Sequence, residues 1–270
     1  YRTTDTHNYG VLDTTGVIRK SSNVGASLIA KRLGDAQFDA FLRRFGYGHV
    51  TGSGFPGEAA GLFPNHQRWS GTSKQTISYG YGLNATPLQI ATAYAALGNG
   101  GLLHQPSFVK GQHGTPKQVL DPVIANQVLH MMQTVTEPGG TATQAAILGY
   151  HVAGKTGTSR KASAGGYSRR YIGYFAGLVP VEKPRFAMVV AVNDPTKGSY
   201  YGGIVSGPVF RNVMEGALRM MDVSPDNLDA WLAAQAAAEA KRAKAAGHPV
   251  PVTAMADAGT TPAPAAGALQ

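Results

Sequence analysis

The chain contains no cysteine in its 270 residues. That excludes a disulfide framework and any thiolate metal, redox or nucleophilic site, although it does not choose a compartment. No stretch approaches the ~20 consecutive apolar residues that a membrane-spanning helix needs. The N-terminus also lacks the charged and apolar regions of a secretion signal. It begins with Tyr rather than Met, so the sequence reads as a processed or truncated chain. Charge is sparse at 14% of residues, with 24 basic side chains against 15 acidic ones. The cations are scattered, and the nearest approaches to clusters are Arg19-Lys20, Arg43-Arg44, Arg169-Arg170 and residues 241–244. A nucleic-acid surface wants a denser basic stripe with interleaved aromatics, so nucleic acid is set aside as a partner. A mildly basic face also suits an anionic wall polymer or an anionic membrane surface, and net charge does not separate these. The 8 histidines show no metal-ligand spacing, so no metal is expected.

What remains is a chain with 43% hydrophobic residues, enough to bury the core of one large domain or two small ones. Residues 1–12 are mixed polar and carry no capping signal. A helix is expected from Asp13 to Lys20, and a second, amphipathic one from Val24 through Leu33 to Gly34. Asp35 can cap a third helix bearing Phe38, Phe41, Leu42 and Phe45. Residues 46–72 are rich in Gly and aromatics without periodicity, and read as a long ordered loop. Thr86-Pro87 opens a helix with a cap followed by Pro. Short extended pieces follow over 102–120, then a helix from Pro122 to Thr136 and a short one from Thr141 to Leu148.

At Lys155 the period changes. Tyr171–Val179 and Arg185–Val192 are β-rich runs joined by a Pro-bounded connection, which predicts an antiparallel hairpin. The second run is almost continuously apolar and is expected to be central. Gly207-Pro208 begins a further helix carrying Val209, Phe210, Val213, Met214, Leu218 and Met221. The expected organisation is a main domain over 1–224, an Ala-rich amphipathic helical extension over 225–246, and a disordered Ala/Pro-rich tail over 247–270.

Two short polar elements can carry chemistry. Lys155-Thr156-Gly157-Thr158 follows an apolar approach and reads as the end of a strand running into a polar loop. A cation, two hydroxyls and a glycine there suit a carboxylate-bearing substrate lying along the strand edge. Backbone N–H groups on such a strand can also contribute to an oxyanion hole. Ser21-Ser22-Asn23, at the mouth of an apolar helix, can be ordinary N-cap chemistry, or a hydroxyl and an amide facing a substrate.

With these two elements in this order, the chain resembles the C-terminal part of the transpeptidase domain of class B penicillin-binding proteins. It is most similar to the division-specific septal branch, the penicillin-binding protein 3 type. The resemblance extends over Arg68-Trp69-Ser70, Tyr79-Gly-Tyr-Gly-Leu83, Thr86-Pro-Leu-Gln89, His130-Met-Met132 and Pro138-Gly-Gly140. It continues through Tyr171 to Pro195, Tyr200-Tyr-Gly-Gly203 and Ser206-Gly-Pro-Val-Phe210, and covers roughly residues 8 to 224. It implies an α/β fold of the α+β type, penicillin-binding and serine β-lactamase-like: an antiparallel sheet flanked by helices, incomplete at the N-terminus. The family sheet is five-stranded with its first two strands upstream, so the Lys155 segment is expected to lose pairing partners and the isolated chain to aggregate.

Carried over by resemblance, Ser21 and Lys155 are catalytic. Asn23, Thr156, Gly157, Thr158 and Gly203 bind substrate, and Tyr171, Tyr200 and Tyr201 form an aromatic wall to which Tyr81 contributes less securely. Three tyrosines on β-rich segments are equally what a half-buried sheet face looks like. The nucleophilic Ser-x-x-Lys lies upstream in this family, and only 20 residues precede Ser21. Ser107-Phe-Val-Lys110 matches the letters but follows the second motif and lacks helical surroundings. Glu58 reads as a loop residue rather than a hydrolytic base.

The resemblance implies acyl transfer through a serine ester, with D-Ala-D-Ala stem peptides of peptidoglycan as substrate and β-lactams as mimics, and without a cofactor. It also implies divisome membrane proteins as partners, and a place on the periplasmic face of the bacterial inner membrane behind an N-terminal anchor outside this chain. Two other readings stay open: a carboxypeptidase or β-lactamase that passes the acyl group to water, and a catalytically silent binding module.

Overall fold

In the computed structural model the described residues are 3–112, 114–163 and 166–245, with side chains described to 242. The expected disordered tail over 247–270 lies outside them.

The N-terminal part is built from short capped helices. Asp13 accepts a hydrogen bond from the Gly16 amide at 2.6 Å and starts α1 (Thr14–Lys20). α2 (Asn23–Lys31) follows α1 with only Ser21 and Ser22 between them, the Ser22 hydroxyl accepting from the Gly25 amide at 2.9 Å. α3 (Asp35–Arg44) differs from the sequence expectation at its start: Gly34 is the N-cap and makes no side-chain cap. Asp35 instead lies in the first turn and pairs with Lys74 at 2.7 Å. Its charge still suits the positive end of that helix.

The long loop expected over 46–72 contains a 3-10 turn, His66–Arg68, and an isolated bridge from Leu62 to Asn84, and is tied down by side chains. The Glu58 carboxylate accepts from the amides and hydroxyls of both Thr51 and Ser53, which lowers its pKa; the Thr51 hydroxyl contributes most. After α4 (Ser73–Ile77), α5 (Pro87–Gly98) opens with a reciprocal capping box between Thr86 and Gln89. Gln89 is also buried and donates to the His49 and Ala60 carbonyls at 2.6 and 2.9 Å. One amide thus caps a helix and holds the loop against it. Ser107-Phe-Val-Lys110 forms a bend in which the Ser107 hydroxyl accepts from the Val109 amide; Phe108 is 69% exposed, and there is no helix.

A two-residue ribbon, β1 (Leu102–Leu103) with β2 (Lys117–Gln118), leads to α6 (Pro122–Gln133), capped by Asp121. The helix expected over Thr141–Leu148 is only a 3-10 turn, Thr143–Ala145. The Ala142 amide is committed to the Val135 carbonyl and Ile147 bridges back to Tyr150, so too few residues remain to nucleate an α-helix.

The main sheet is the antiparallel meander β3 (Ala153–Ser163), β4 (Gly166–Val179) and β5 (Phe186–Asn193). β5 is an edge strand among the described residues, not the central one. Its continuous apolar run has another cause: helices cover both of its faces. Phe186, Met188 and Val192 pack towards the cluster of Phe175, Val179, Phe210, Met214 and Leu218 beneath α8 (Gly207–Met220). The alternate residues face α5, and Ala187 joins Leu129, Met132, Leu178 and Tyr94. Phe175 and Phe210 are fully buried and meet edge to face at 4.9 Å. Truncating either costs about 3–5 kcal/mol.

Beyond α8, Asp226 docks the chain by accepting from the amides of His151 and Val181 at 2.7 and 3.0 Å. α9 (Leu228–Ala245) follows, and Trp231 lies against Gly149, where an added Cβ would stand 2.7 Å from the indole. Past its first two turns α9 is mostly exposed, so it is less amphipathic than expected.

Candidate active site

The two polar elements, 134 residues apart, meet. The Lys155 ammonium donates to the Ser21 hydroxyl oxygen at 2.6 Å and to the Thr156 carbonyl at 3.1 Å. Lys155 is not at a strand end but is the third residue of the eleven-residue β3, paired with Ala176 of β4. The whole Lys155–Thr158 run is therefore regular strand, registered residue by residue against Ala176, Phe175, Tyr174 and Gly173. Partial burial withholds water from the ammonium and lowers its pKa from 10.5 to about 8.

Ser21 ends α1 in the left-handed region, at φ 57° and ψ 45°, with its amide on the Ile18 carbonyl. A non-glycine residue there is held at a cost of about 1–2 kcal/mol. It lets α1 close and α2 open without a linker, and places the Ser21 hydroxyl beside Lys155. Sequence reasoning missed what secures the next helix. The Asp5 carboxylate accepts from the Ser22 hydroxyl at 2.6 Å and from the amides of Asn23 and Val24 at 2.7 and 3.1 Å. Ser22 and Asp5 together satisfy the first three amides of α2, the second from 17 residues upstream. No local spacing signals a cap at that distance.

Side chains alternate along β3, so Thr156 and Thr158 share the face opposite Lys155 and Gly157. The Thr156 hydroxyl lies 2.9 Å from that of Thr141, and the Thr158 hydroxyl accepts from the Gly202 amide at 3.1 Å. α7 (Gly202–Val205) is thereby held across the strand. Both of its glycines are close-approach positions. A Cβ on Gly202 would sit 2.1 Å from the Tyr174 carbonyl oxygen, and one on Gly203 2.1 Å from that of Thr141. Gly203 is buried in this contact.

The three tyrosines named from the sequence form one stack. Tyr171 and Tyr200 lie nearly parallel at 4.1 Å, and Tyr201 tilts against Tyr200 at 4.7 Å. The neighbouring Tyr201 hydroxyl raises the Tyr200 pKa. The Arg160 guanidinium, also missed in the sequence, stands 5.8 Å over the Tyr171 ring. Tyr81 contacts Tyr79 and Tyr167 instead, edge to face at 6.0 and 5.8 Å.

The chain is similar to known proteins over most of its length. The chain matches the family described as the penicillin binding protein transpeptidase domain over residues 1–215. It is 46% identical over 226 residues to peptidoglycan D,D-transpeptidase FtsI of Escherichia coli K12, an alignment covering 83% of this chain and 38% of that protein. It is 43% identical over 224 residues to probable peptidoglycan D,D-transpeptidase PenA of Neisseria meningitidis serogroup A, covering 82% and 38%. The chain thus spans less than half the length of these relatives. Among solved structures, the apo transpeptidase domain of Burkholderia pseudomallei penicillin-binding protein 3 superposes with a TM-score of 0.78 at 37% identity. That match covers 83% of this chain and 69% of the other. With its two separated motifs joined on a sheet edge, and matched over most of its length, the chain belongs to the transpeptidase domain family of the class B penicillin-binding proteins.

Proposed function

We propose that this chain is the substrate-facing half of a peptidoglycan D,D-transpeptidase that cross-links stem peptides at the division septum. The observation that carries the reading is the 2.6 Å hydrogen bond from Lys155 to Ser21, which joins a strand edge to a helix junction across 134 residues. Because Lys155 donates to the Ser21 oxygen, the Ser21 proton is free to point into the cleft. Ser21 can then hand a proton to the leaving amine while Lys155 supplies the positive field.

The nucleophile and its lysine are supplied from a segment preceding residue 1. The attacking serine forms an ester with the penultimate D-Ala and expels the terminal D-Ala. An amine of a neighbouring stem peptide then displaces the serine. Asn23 and the β3 edge at Thr156, Gly157 and Thr158 line the path of the substrate, and the Tyr171–Tyr200–Tyr201 stack with Arg160 bounds the acyl side. β-Lactams acylate the same serine. The protein acts on the periplasmic face of the inner membrane among divisome membrane proteins.

The test is covalent labelling by a fluorescent penicillin. The full-length protein is expected to label, and residues 1–270 alone are not. Stable labelling of residues 1–270 would show the motifs to be misassigned. Rapid hydrolysis of penicillin by the full-length protein, with no cross-linked product, would favour the hydrolase reading instead.

A further inference from the structure

The Ser21–Lys155 contact spans two elements that share no backbone pairing, so something else must set that distance. Beyond the apolar packing of α6 against both, the turn after α6 hydrogen-bonds to each side. Toward the strand, the buried Thr136 hydroxyl donates to the Val152 carbonyl at 2.7 Å, and the Thr141 hydroxyl lies 2.9 Å from that of Thr156. These two grips flank Lys155. Toward the helix junction, the same turn offers two carbonyls to the last two residues of α1. The Arg19 guanidinium donates to Pro138, and Lys20 donates to Gly139 at 2.8 Å.

The turn has the backbone such a brace requires. Gly139 adopts φ +86°, and a Cβ on Gly140 would lie 2.1 Å from the Val135 carbonyl oxygen. Arg19 Nε is buried without a partner, a cost that a free surface arginine avoids by swinging into water. The guanidinium is held where it is for its contact with the turn. The cycle closes: Ser21, Lys155, Thr156, Thr141, the turn at 138–139, Arg19 and Lys20, and back to Ser21.

We propose that Arg19 and Lys20 are positioning residues, which through the Pro138 and Gly139 carbonyls lock the Ser21 junction to the Lys155 strand. Neither side chain donates to the Ser21–Lys155 pair itself. Their effect is on the geometry of that pair, which rests on the function proposed above.

The experiment compares wild-type full-length protein with Arg19→Met/Lys20→Met, with the donor-preserving exchange Arg19→Lys/Lys20→Arg, and with Lys117→Met as a remote charge control. Misplacing a catalytic group by about an ångström costs on the order of a hundredfold. The double Met variant is therefore expected to lose roughly ten- to hundredfold in the first-order acylation constant at saturating penicillin, with little change in the half-saturating concentration. The exchange variant recovers most of the rate, and Lys117→Met matches wild type. Lysine-resolved NMR supplies a readout that does not depend on penicillin. Lys155, near 8 in the intact site, should move up towards the ordinary lysine range as the junction loosens and water enters. Acylation within twofold of wild type in the double Met variant, or an unmoved Lys155 titration, overturns the brace. If no penicillin labels the wild-type protein, the proposed function fails instead, and the NMR titration alone judges the brace.

Discussion

The two halves of the site are held by different means. Lys155–Thr158 is fixed by backbone: every residue of the run has a register partner on β4, and β4 is itself paired to β5. Ser21–Asn23 is fixed by side chains. It sits between two short helices, in a left-handed turn, with Asp5 reaching its neighbours Ser22 and Asn23 from upstream and the adjoining Arg19 and Lys20 reaching out to the Pro138 and Gly139 carbonyls. A strand motif therefore tolerates side-chain change as far as folding goes but resists any change in backbone approach. A helix-junction motif has the opposite sensitivities.

The largest effect expected is functional and falls on the strand. Lys155→Ala in the full-length protein removes the donor to Ser21 without breaking a single ladder hydrogen bond. Loss of one preorganised donor costs about a hundred- to a thousandfold in rate. Penicillin acylation should fall by that much while Tm stays within a few degrees of wild type. A matching collapse in Tm would mean that Lys155 is a folding residue and that the contrast between the halves is wrong.

Backbone approach is the strand's weak point, and Gly202→Ala tests it. The new methyl would stand 2.1 Å from the Tyr174 carbonyl oxygen and 2.4 Å from that of Gly157, which are strand backbone and cannot swing away. Overpacking of this kind costs about 1–3 kcal/mol. Denaturant unfolding should show that loss, and acylation should fall with it as α7 is pushed off Thr158. Unchanged stability would mean that α7 lies farther from the strand than described.

Asp5→Ala breaks the junction with a smaller change. Losing a cap costs about 1 kcal/mol, within a range of ~0.5–2. Asp121 caps α6 with the same chemistry, accepting from the Val123 and Ile124 amides at 2.8 and 3.3 Å, but away from the site. The two alanine variants should lose similar stability. Only Asp5→Ala should also slow acylation and speed hydrogen exchange at Asn23 and Val24. Equal acylation in both variants would reduce Asp5 to an ordinary cap.

How much of this was legible in the sequence follows the same division. The cap followed by Pro at Thr86-Pro87 and the β4–β5 hairpin are signals confined to a few neighbouring residues, and each lies where the letters place it. The Lys155 motif stands inside a strand and not at its end, because the pairing with β4 that extends β3 is not a local signal. What could not be read was relational. The apolar run of β5 records cover on both faces, and neighbour count does not follow from hydrophobicity. Thr141–Leu148 has helical spacing, but the Ala142 amide is spent on the Val135 carbonyl and the Ala145 and Ala146 amides close tight i−3 turns. Asp5, Thr141 and Arg160 carry no local pattern, because each meets the site through a fold that only the distant strands define.

The smallest expected effect sharpens the comparison through pH. Lys155 is the one site residue whose charge burial makes soft, with a pKa near 8 against 10.5 when freely solvated. Below 8 the group is protonated both folded and unfolded, and the fold bears the full cost of burying the ammonium. Between 8 and 10.5 the unfolded chain holds a proton that the folded chain has released, so stability rises with pH across that window. Other groups titrate there too, so the measurement is the difference in Tm between wild type and Lys155→Met, which should narrow as pH rises from 8. Acylation should run the other way. If the ammonium supplies the field at Ser21, the rate falls above about pH 8 as that charge is lost. In Lys155→Arg the fall should disappear from the accessible range, because a guanidinium keeps its proton up to about pH 12. A wild-type rate that climbs through pH 8 would instead make neutral Lys155 the working form, and would turn the strand half of the site from a fixed charge into a base.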